Sequence, residues 1–220
     1  MKLFKNIKKW LENQEHLFYL FLLILIVPNI ILCFTEPMPV VAKVCNVLLP
    51  FAFYYLLMTL SRDCGKMFWI LFLFIFFGAF QIVLLYLFGQ SIIAVDMFLN
   101  LVTTNSSEAM ELLDNLVPAL VSVIILYIPA LILAAISIIK KRKLSPEFIR
   151  RERKKAWIAL LIGFISLGAA YGLDKRYELK SDLYPANVCY NVALAFQRNA
   201  QTRTYHRTSE NFTFNAQPSH

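Results

Sequence analysis

The chain has 220 residues, 59% of them hydrophobic and 16% charged, with a formal net charge of +8. That is too apolar for an ordinary soluble domain, and it excludes disorder, collagen and coiled coil. The positive charge does not point to nucleic acid, because the basic residues stand beside apolar blocks, where anionic lipid and topology account for them.

From residue 2 to 15, Leu3, Phe4, Ile7, Trp10 and Leu11 fall at near-helical spacing between lysines, which predicts a short amphipathic helix on the membrane surface. Five apolar blocks follow, at 16–34, 41–60, 67–88, 117–139 and 156–173. A helix rising ~1.5 Å per residue needs ~20 residues to cross ~30 Å of hydrocarbon, and each block is long enough. Each must be helical, since lipid leaves no partner for an unpaired backbone group. The expected fold is an all-α membrane protein: a five-helix transmembrane bundle over 1–173, with short periplasmic interfacial helices. Pro28, Pro50, Pro118 and Pro129 mark kinks or first turns of spans rather than ends. The first block is too long for a signal-peptide core and no small-x-small site follows it, so it stays as an anchor.

Lys and Arg set the orientation. Four precede the first span (Lys2, Lys5, Lys8, Lys9), two lie between the second and third (Arg62, Lys66), and nine run from Lys140 to Lys155 between the fourth and fifth. The other two loops hold Lys43 alone. The positive-inside bias predicts a cytoplasmic N-terminus and, with five spans, a periplasmic C-terminus; Lys175 and Arg176 argue the other way and are outnumbered. The KKRKLSPEFIRRERKK loop is foremost a topology anchor, and its chemistry also suits anionic lipid headgroups.

Between the third and fourth spans, residues 89–116 carry Asp96, Glu108, Glu111 and Asp114 with no Lys or Arg. Helix-to-helix connectors usually have ~2 to 8 residues, so one or two short surface helices are expected here. Asn100, Thr104 and Glu108 recur every fourth residue and share one face of a continuous helix. A carboxylate with two neutral hydrogen-bonding side chains suits a zwitterionic headgroup, Glu for the ammonium and Asn and Thr for hydroxyl or phosphate oxygens. A second reading stands beside it: Thr104, Asn105 or Ser106 caps a helix running to about Asn115, and Glu108 closes a capping box from Asn105. The two roles are compatible.

Residues 174–220 turn polar and aromatic. Leu183, Val188, Val192 and Phe196 fall at helical spacing around Pro185, which suits a helix start. These 47 residues hold too little apolar surface for a core of their own. They read as a bridging helix lying on the bilayer and a linker to something further. Tyr177, Tyr184, Tyr190 and Phe196 suit either an interfacial aromatic belt or packing between that helix and the bundle. Cys33, Cys45, Cys64 and Cys189 lack zinc spacing, and His206, His220, Glu210 and Asp182 lack ligand spacing, so no metal site is predicted. Cys33 and Cys45 fall near the outer ends of their spans, where an oxidising periplasm would allow them to pair; free buried thiols are the favoured reading.

Three features together resemble the membrane half of the phosphoethanolamine transferases, inner-membrane enzymes that modify lipid A, including the type that confers resistance to colistin and other polymyxins. They are DMFLNLVTTNSSEAMELLDN between the third and fourth spans, the fivefold span count with an outside C-terminus, and LYPANVCYNVALAFQR followed by FTFNA. The resemblance covers essentially the whole chain; its specific part is the Asn-x3-Thr-x3-Glu order and the Tyr-Pro-x-Asn helix. It implies phosphatidylethanolamine as donor, lipid A as acceptor, and a separate periplasmic domain of the sulfatase or alkaline-phosphatase type with zinc and a threonine nucleophile. Asn100, Thr104 and Glu108 match the membrane-domain positions that line the donor headgroup site.

The chain departs from that pattern at its end. It stops at His220, before any strand that presents a nucleophile and without an Asp/His cluster for zinc. No catalytic residue is assigned, and the 220-residue chain alone is expected to be an inactive N-terminal portion; headgroup release from a fluorescent phosphatidylethanolamine by the purified chain contradicts this. Two alternatives remain. A glycerophosphate transferase of the lipoteichoic acid synthase type shares the five spans, but its donor headgroup has no ammonium for Glu108. A non-enzymatic transporter subunit or assembly protein is the other, and it lacks the intramembrane ionisable residues and internal repeat that favour it.

Overall fold

The computed structural model describes the backbone of residues 10–88 and 106–210, with side chains at 10–83, 85–86, 117–198, 200–201 and 204. Helix is the sole regular structure among the described residues: α1 (Gln14–Thr35), α2 (Val40–Met58), α3 (Cys64–Ile70), α4 (Phe72–Phe88), α5 (Ser106–Ile139), α6 (Pro146–Leu173), α7 (Leu179–Asp182) and α8 (Ala186–Glu210). Polar caps start several of them. Asn13 accepts from the Glu15 amide, Asp63 from Lys66 and Ser145 from Phe148, each satisfying a first-turn N–H.

Four segments are long and apolar enough to cross a membrane: α1, α2, Val117–Ile139 of α5, and α6. A fifth is broken, with Cys64–Ile70 and Phe72–Val83 meeting at 60°. The chain is a multi-pass, all-α membrane bundle. Pro28, Pro50, Pro118 and Pro129 all lie inside helices, as expected. The break at Leu71 has neither Pro nor Gly at it, so the straight span expected over 67–88 is corrected by a bend that has no local sequence mark.

The core is aromatic and aliphatic. Phe18 and Phe21 of α1, Tyr54 and Met58 of α2, and Phe68 of α3 are fully buried in one cluster. Small residues let helices approach where no apolar side chain fits. A Cβ on Gly163 of α6 would lie 3.1 Å from the Leu49 Cα of α2, and one on Gly65 of α3 would lie 2.5 Å from the Ala134 carbonyl oxygen of α5.

The start of α1, the end of α2, the start of α3, the end of α5 and the start of α6 meet at one end of the bundle. We name it the basic end. There the chain leaves α5 through Lys141 at φ 50°, with the Arg142 amide bonding back to the Ser137 carbonyl, a helix-terminating turn. Only the first part of the nine-cation stretch, Lys140 to Lys143, is a loop. Ser145 and Pro146 start α6 early, so Arg150, Arg151, Arg153, Lys154 and Lys155 stand on helix. At 28 residues α6 is roughly 42 Å long by its rise, beyond the ~30 Å of hydrocarbon, and its first turns project past the apolar part. In the same way residues 106–116 are no separate surface helix but the first turns of α5.

At the far end the chain leaves α6 at Leu173 and turns back. Residues 174–192 pack one side into the bundle, while Lys175, Arg176, Glu178, Lys180, Ser181 and Cys189 stay exposed. Tyr177, Leu183, Tyr184 and Val188 are buried, which assigns Tyr177 and Tyr184 to packing, whereas Tyr190 and Phe196 stay exposed. α8 begins directly after Pro185, whose bond to Tyr184 is cis.

Candidate functional site

Polar assemblies interrupt the apolar bundle near each end. At the basic end Glu152 of α6 is fully buried, and the Tyr55 hydroxyl of α2 donates to its Oε2. Its Oε1 accepts from Arg151 Nε at 2.8 Å and from Lys155 Nζ at 2.9 Å. A buried carboxylate is costly unless paired and hydrogen-bonded, and here both oxygens are engaged. In the sequence Glu152 sits among cations in what reads as a solvated loop, so nothing in its immediate neighbours marks it as buried. Helical spacing carries the missing signal: Phe148, Glu152 and Ala156 share a face, and all three are buried.

At the far end, Asn29 of α1 and Asn46 of α2 clamp the returning segment. Asn29 Nδ2 donates to the Asn46 carbonyl at 2.9 Å and to the Tyr184 carbonyl at 2.7 Å. Asn46 Nδ2 donates to the Asp182 carbonyl at 2.6 Å, and its Oδ1 accepts from the Tyr177 hydroxyl at 2.9 Å. Burial pushes the Tyr177 hydroxyl well above its ordinary pKa, so it remains a neutral donor. Asn29 lies six residues, about 9 Å by helical rise, in from the end of α1, so the clamp reaches below the rim of the bundle.

Tyr184 reaches deeper. Its hydroxyl donates to the Phe74 carbonyl at 3.1 Å, beside Gly78 of α4. A Cβ on Gly78 would lie 2.9 Å from the Tyr127 hydroxyl and 3.2 Å from that of Tyr184, so glycine makes room for both. Several buried polar atoms have no hydrogen-bond partner among the described residues: the Tyr127 hydroxyl, Asn29 Oδ1 and both side-chain polar atoms of Asn187. Such atoms are uncommon in a folded interior.

Beside the clamp runs a groove of about 350 Å³. Leu49, Pro50 and Phe53 of α2, Phe74 of α4, and Leu160 and Phe164 of α6 form its walls, and Leu183, Pro185, Ala186 and Cys189 of the returning segment complete it. Apart from the Cys189 thiol, every lining side chain is hydrocarbon. It can hold an alkyl chain by burial alone and offers that chain no polar contact.

No protein-family model, curated protein or solved structure matches this chain. What the clamp and the groove do follows from their own chemistry. Asn100 and Thr104 of the expected headgroup triad lie outside the described residues. Glu108 is the third residue of α5, the position a capping box from Asn105 requires, and its side chain is likewise outside the described set. Among the described residues no group of three His, Cys, Asp or Glu is placed to hold a metal ion. The four cysteines, Cys33 and Cys45 included, are free.

Proposed function

We propose that this chain is the membrane platform of a phosphoethanolamine transferase of the inner membrane, with its basic end in the cytoplasm and its far end at the periplasm. It binds phosphatidylethanolamine as donor and presents the headgroup for transfer to lipid A. The observation that carries the reading is the far-end groove: a slot of hydrocarbon side chains and the Cys189 thiol, walled on one side by a segment that Asn29 and Asn46 pin into the bundle. One acyl chain lies in the slot, and Asn100, Thr104 and Glu108 are the residues assigned to the headgroup by the resemblance. The orientation rests on the nine cations from Lys140 to Lys155. The donor and the acceptor rest on the resemblance of the Asn-x3-Thr-x3-Glu and Tyr-Pro-x-Asn motifs.

Holding donor and catalyst at one bilayer surface raises their effective concentration, which is a positional contribution and not a chemical one.

Cys189 reports on the slot directly. With Cys33 replaced by Ser, and Cys45 and Cys64 buried, Cys189 is the accessible thiol. In nanodiscs of phosphatidylethanolamine its alkylation by a maleimide is expected to be several-fold slower than in phosphatidylglycerol, and Glu108→Gln is expected to remove the difference. Equal rates in the two lipids overturn the donor assignment and favour a glycerol headgroup or no headgroup selection.

A further inference from the structure

The cations of α6 divide between two faces. Arg151 and Lys155 are spent on buried Glu152. Arg150, Arg153 and Lys154 lie on another face and, with Arg62 from the turn before α3, line a groove of about 410 Å³ at the basic end. Two of the four are fixed to backbone: Arg153 Nη2 donates to the Thr59 carbonyl at 2.5 Å, and Arg62 Nε to the Leu144 carbonyl at 2.9 Å. Each guanidinium carries five N–H donors, so each keeps others for a ligand. Arg150 and Lys154 are exposed and have no ion-pair or hydrogen-bond partner among the described residues. No carboxylate lines the groove. Its remaining wall is apolar, with Ile149 at its side and Trp157, 57% exposed, where α6 becomes hydrocarbon-facing. A tryptophan at that height belongs at a headgroup boundary.

We infer that this groove is a headgroup site for an anionic phospholipid of the leaflet at the basic end, phosphate between Arg62, Arg150, Arg153 and Lys154 and acyl chain along Trp157. Phosphate geometry suits several guanidinium donors converging from α6 and from the turn before α3. A mere topology anchor requires only a count of charges. It requires neither the sorting of cations onto one face nor arginines tied to the carbonyls of neighbouring segments. The site is separate from the far-end groove and stands whether or not that groove takes phosphatidylethanolamine.

The full chain, purified in mild detergent with phosphatidylglycerol and phosphatidylcholine, is read by native mass spectrometry for retained lipid. Wild type is expected to retain phosphatidylglycerol selectively. Arg150→Gln with Lys154→Gln, at positions that bond nothing in the fold, is expected to lower that retention about tenfold or more. Lys140→Gln with Lys141→Gln removes the same charge from the same end outside the groove and is expected to leave retention near wild type. Equal losses in the two double variants mean diffuse surface charge and overturn the site. Inorganic phosphate at millimolar concentration distinguishes a free anion from a lipid. If it displaces the lipid and stabilises the protein as well as phosphatidylglycerol does, the lipid assignment is wrong; no displacement supports it.

Discussion

Arg62 and Leu144, 82 residues apart, bond each other twice: the Leu144 amide donates to the Arg62 carbonyl at 2.8 Å, and the Arg62 side-chain Nε donates to the Leu144 carbonyl at 2.9 Å. This reciprocal pair joins the turn before α3 to the turn before α6 and so sets the register of two hairpins at the basic end. Arg62→Met leaves the Leu144 carbonyl without its charged donor and is expected to cost about 1–2 kcal/mol, seen as a lower unfolding temperature in detergent. Arg62→Lys is expected to rescue little, because an ammonium cannot reproduce the guanidinium Nε geometry.

Tyr55 and Glu152 form the second tie, between α2 and α6. Tyr55→Phe strands a lone pair of a buried carboxylate, whereas Glu152→Gln leaves behind Arg151 and Lys155, whose side chains are more than half exposed and rehydrate. Each single change is expected to cost about 1–2 kcal/mol. The double change is expected to cost clearly less than their sum, with a coupling of about 1 kcal/mol or more in a thermal-unfolding cycle. Strict additivity means the hydroxyl and the carboxylate do not interact.

Glycine substitutions separate helix contact from helix propensity. Gly65→Ala drives a methyl into the Ala134 carbonyl and Gly78→Ala into the Tyr127 hydroxyl, and both are expected to lower the yield of folded protein and its unfolding temperature. Gly168→Ala and Gly172→Ala on α6 meet nothing within 4 Å and are expected to be neutral or slightly stabilising. Size-exclusion profiles after mild heating separate the two pairs.

Asn46→Leu removes both the donor to Asp182 and the acceptor for Tyr177. Interhelical hydrogen bonds in membranes contribute about 0.6–1.7 kcal/mol each, so global unfolding shifts modestly, but the returning segment loses a main tether. Hydrogen exchange is expected to speed up at amides 179–189 while those of α1 and α5 stay near wild type. Unchanged exchange there means the clamp does not hold the segment.

Much of the fold is legible in the sequence because bilayer crossing imposes a length and an apolarity that composition cannot hide. All five blocks reappear as four spans and one bent pair. Three features are not legible, each for a physical reason. The bend at Leu71 has no residue of its own to mark it, since it arises in a run of Trp69, Ile70, Phe72 and Leu73 that suits a straight helix as well. Glu152 hides in a stretch of cations, where only its helical phase relative to Phe148 and Ala156 betrays burial. The returning segment reads as surface because it is short and polar at its ends. Its insertion depends on Asn29 and Asn46, two amides within apolar spans whose partners lie 136 or more residues on at Asp182 and Tyr184. Of the three residues expected at the headgroup, Glu108 stands two residues past the start of α5, where the capping arithmetic requires it, while Asn100 and Thr104 lie outside the described residues.

That the far-end groove takes this one class of lipid is tested most directly by mapping cross-links from a phosphatidylethanolamine with a photoreactive acyl chain. In nanodiscs, labelling is expected to concentrate on peptides holding Leu49, Phe53, Phe164 and residues 183–189, and to be competed by unlabelled phosphatidylethanolamine much better than by phosphatidylglycerol. Labels spread evenly over the exposed faces of α5 and α6, with no headgroup preference in the competition, contradict it.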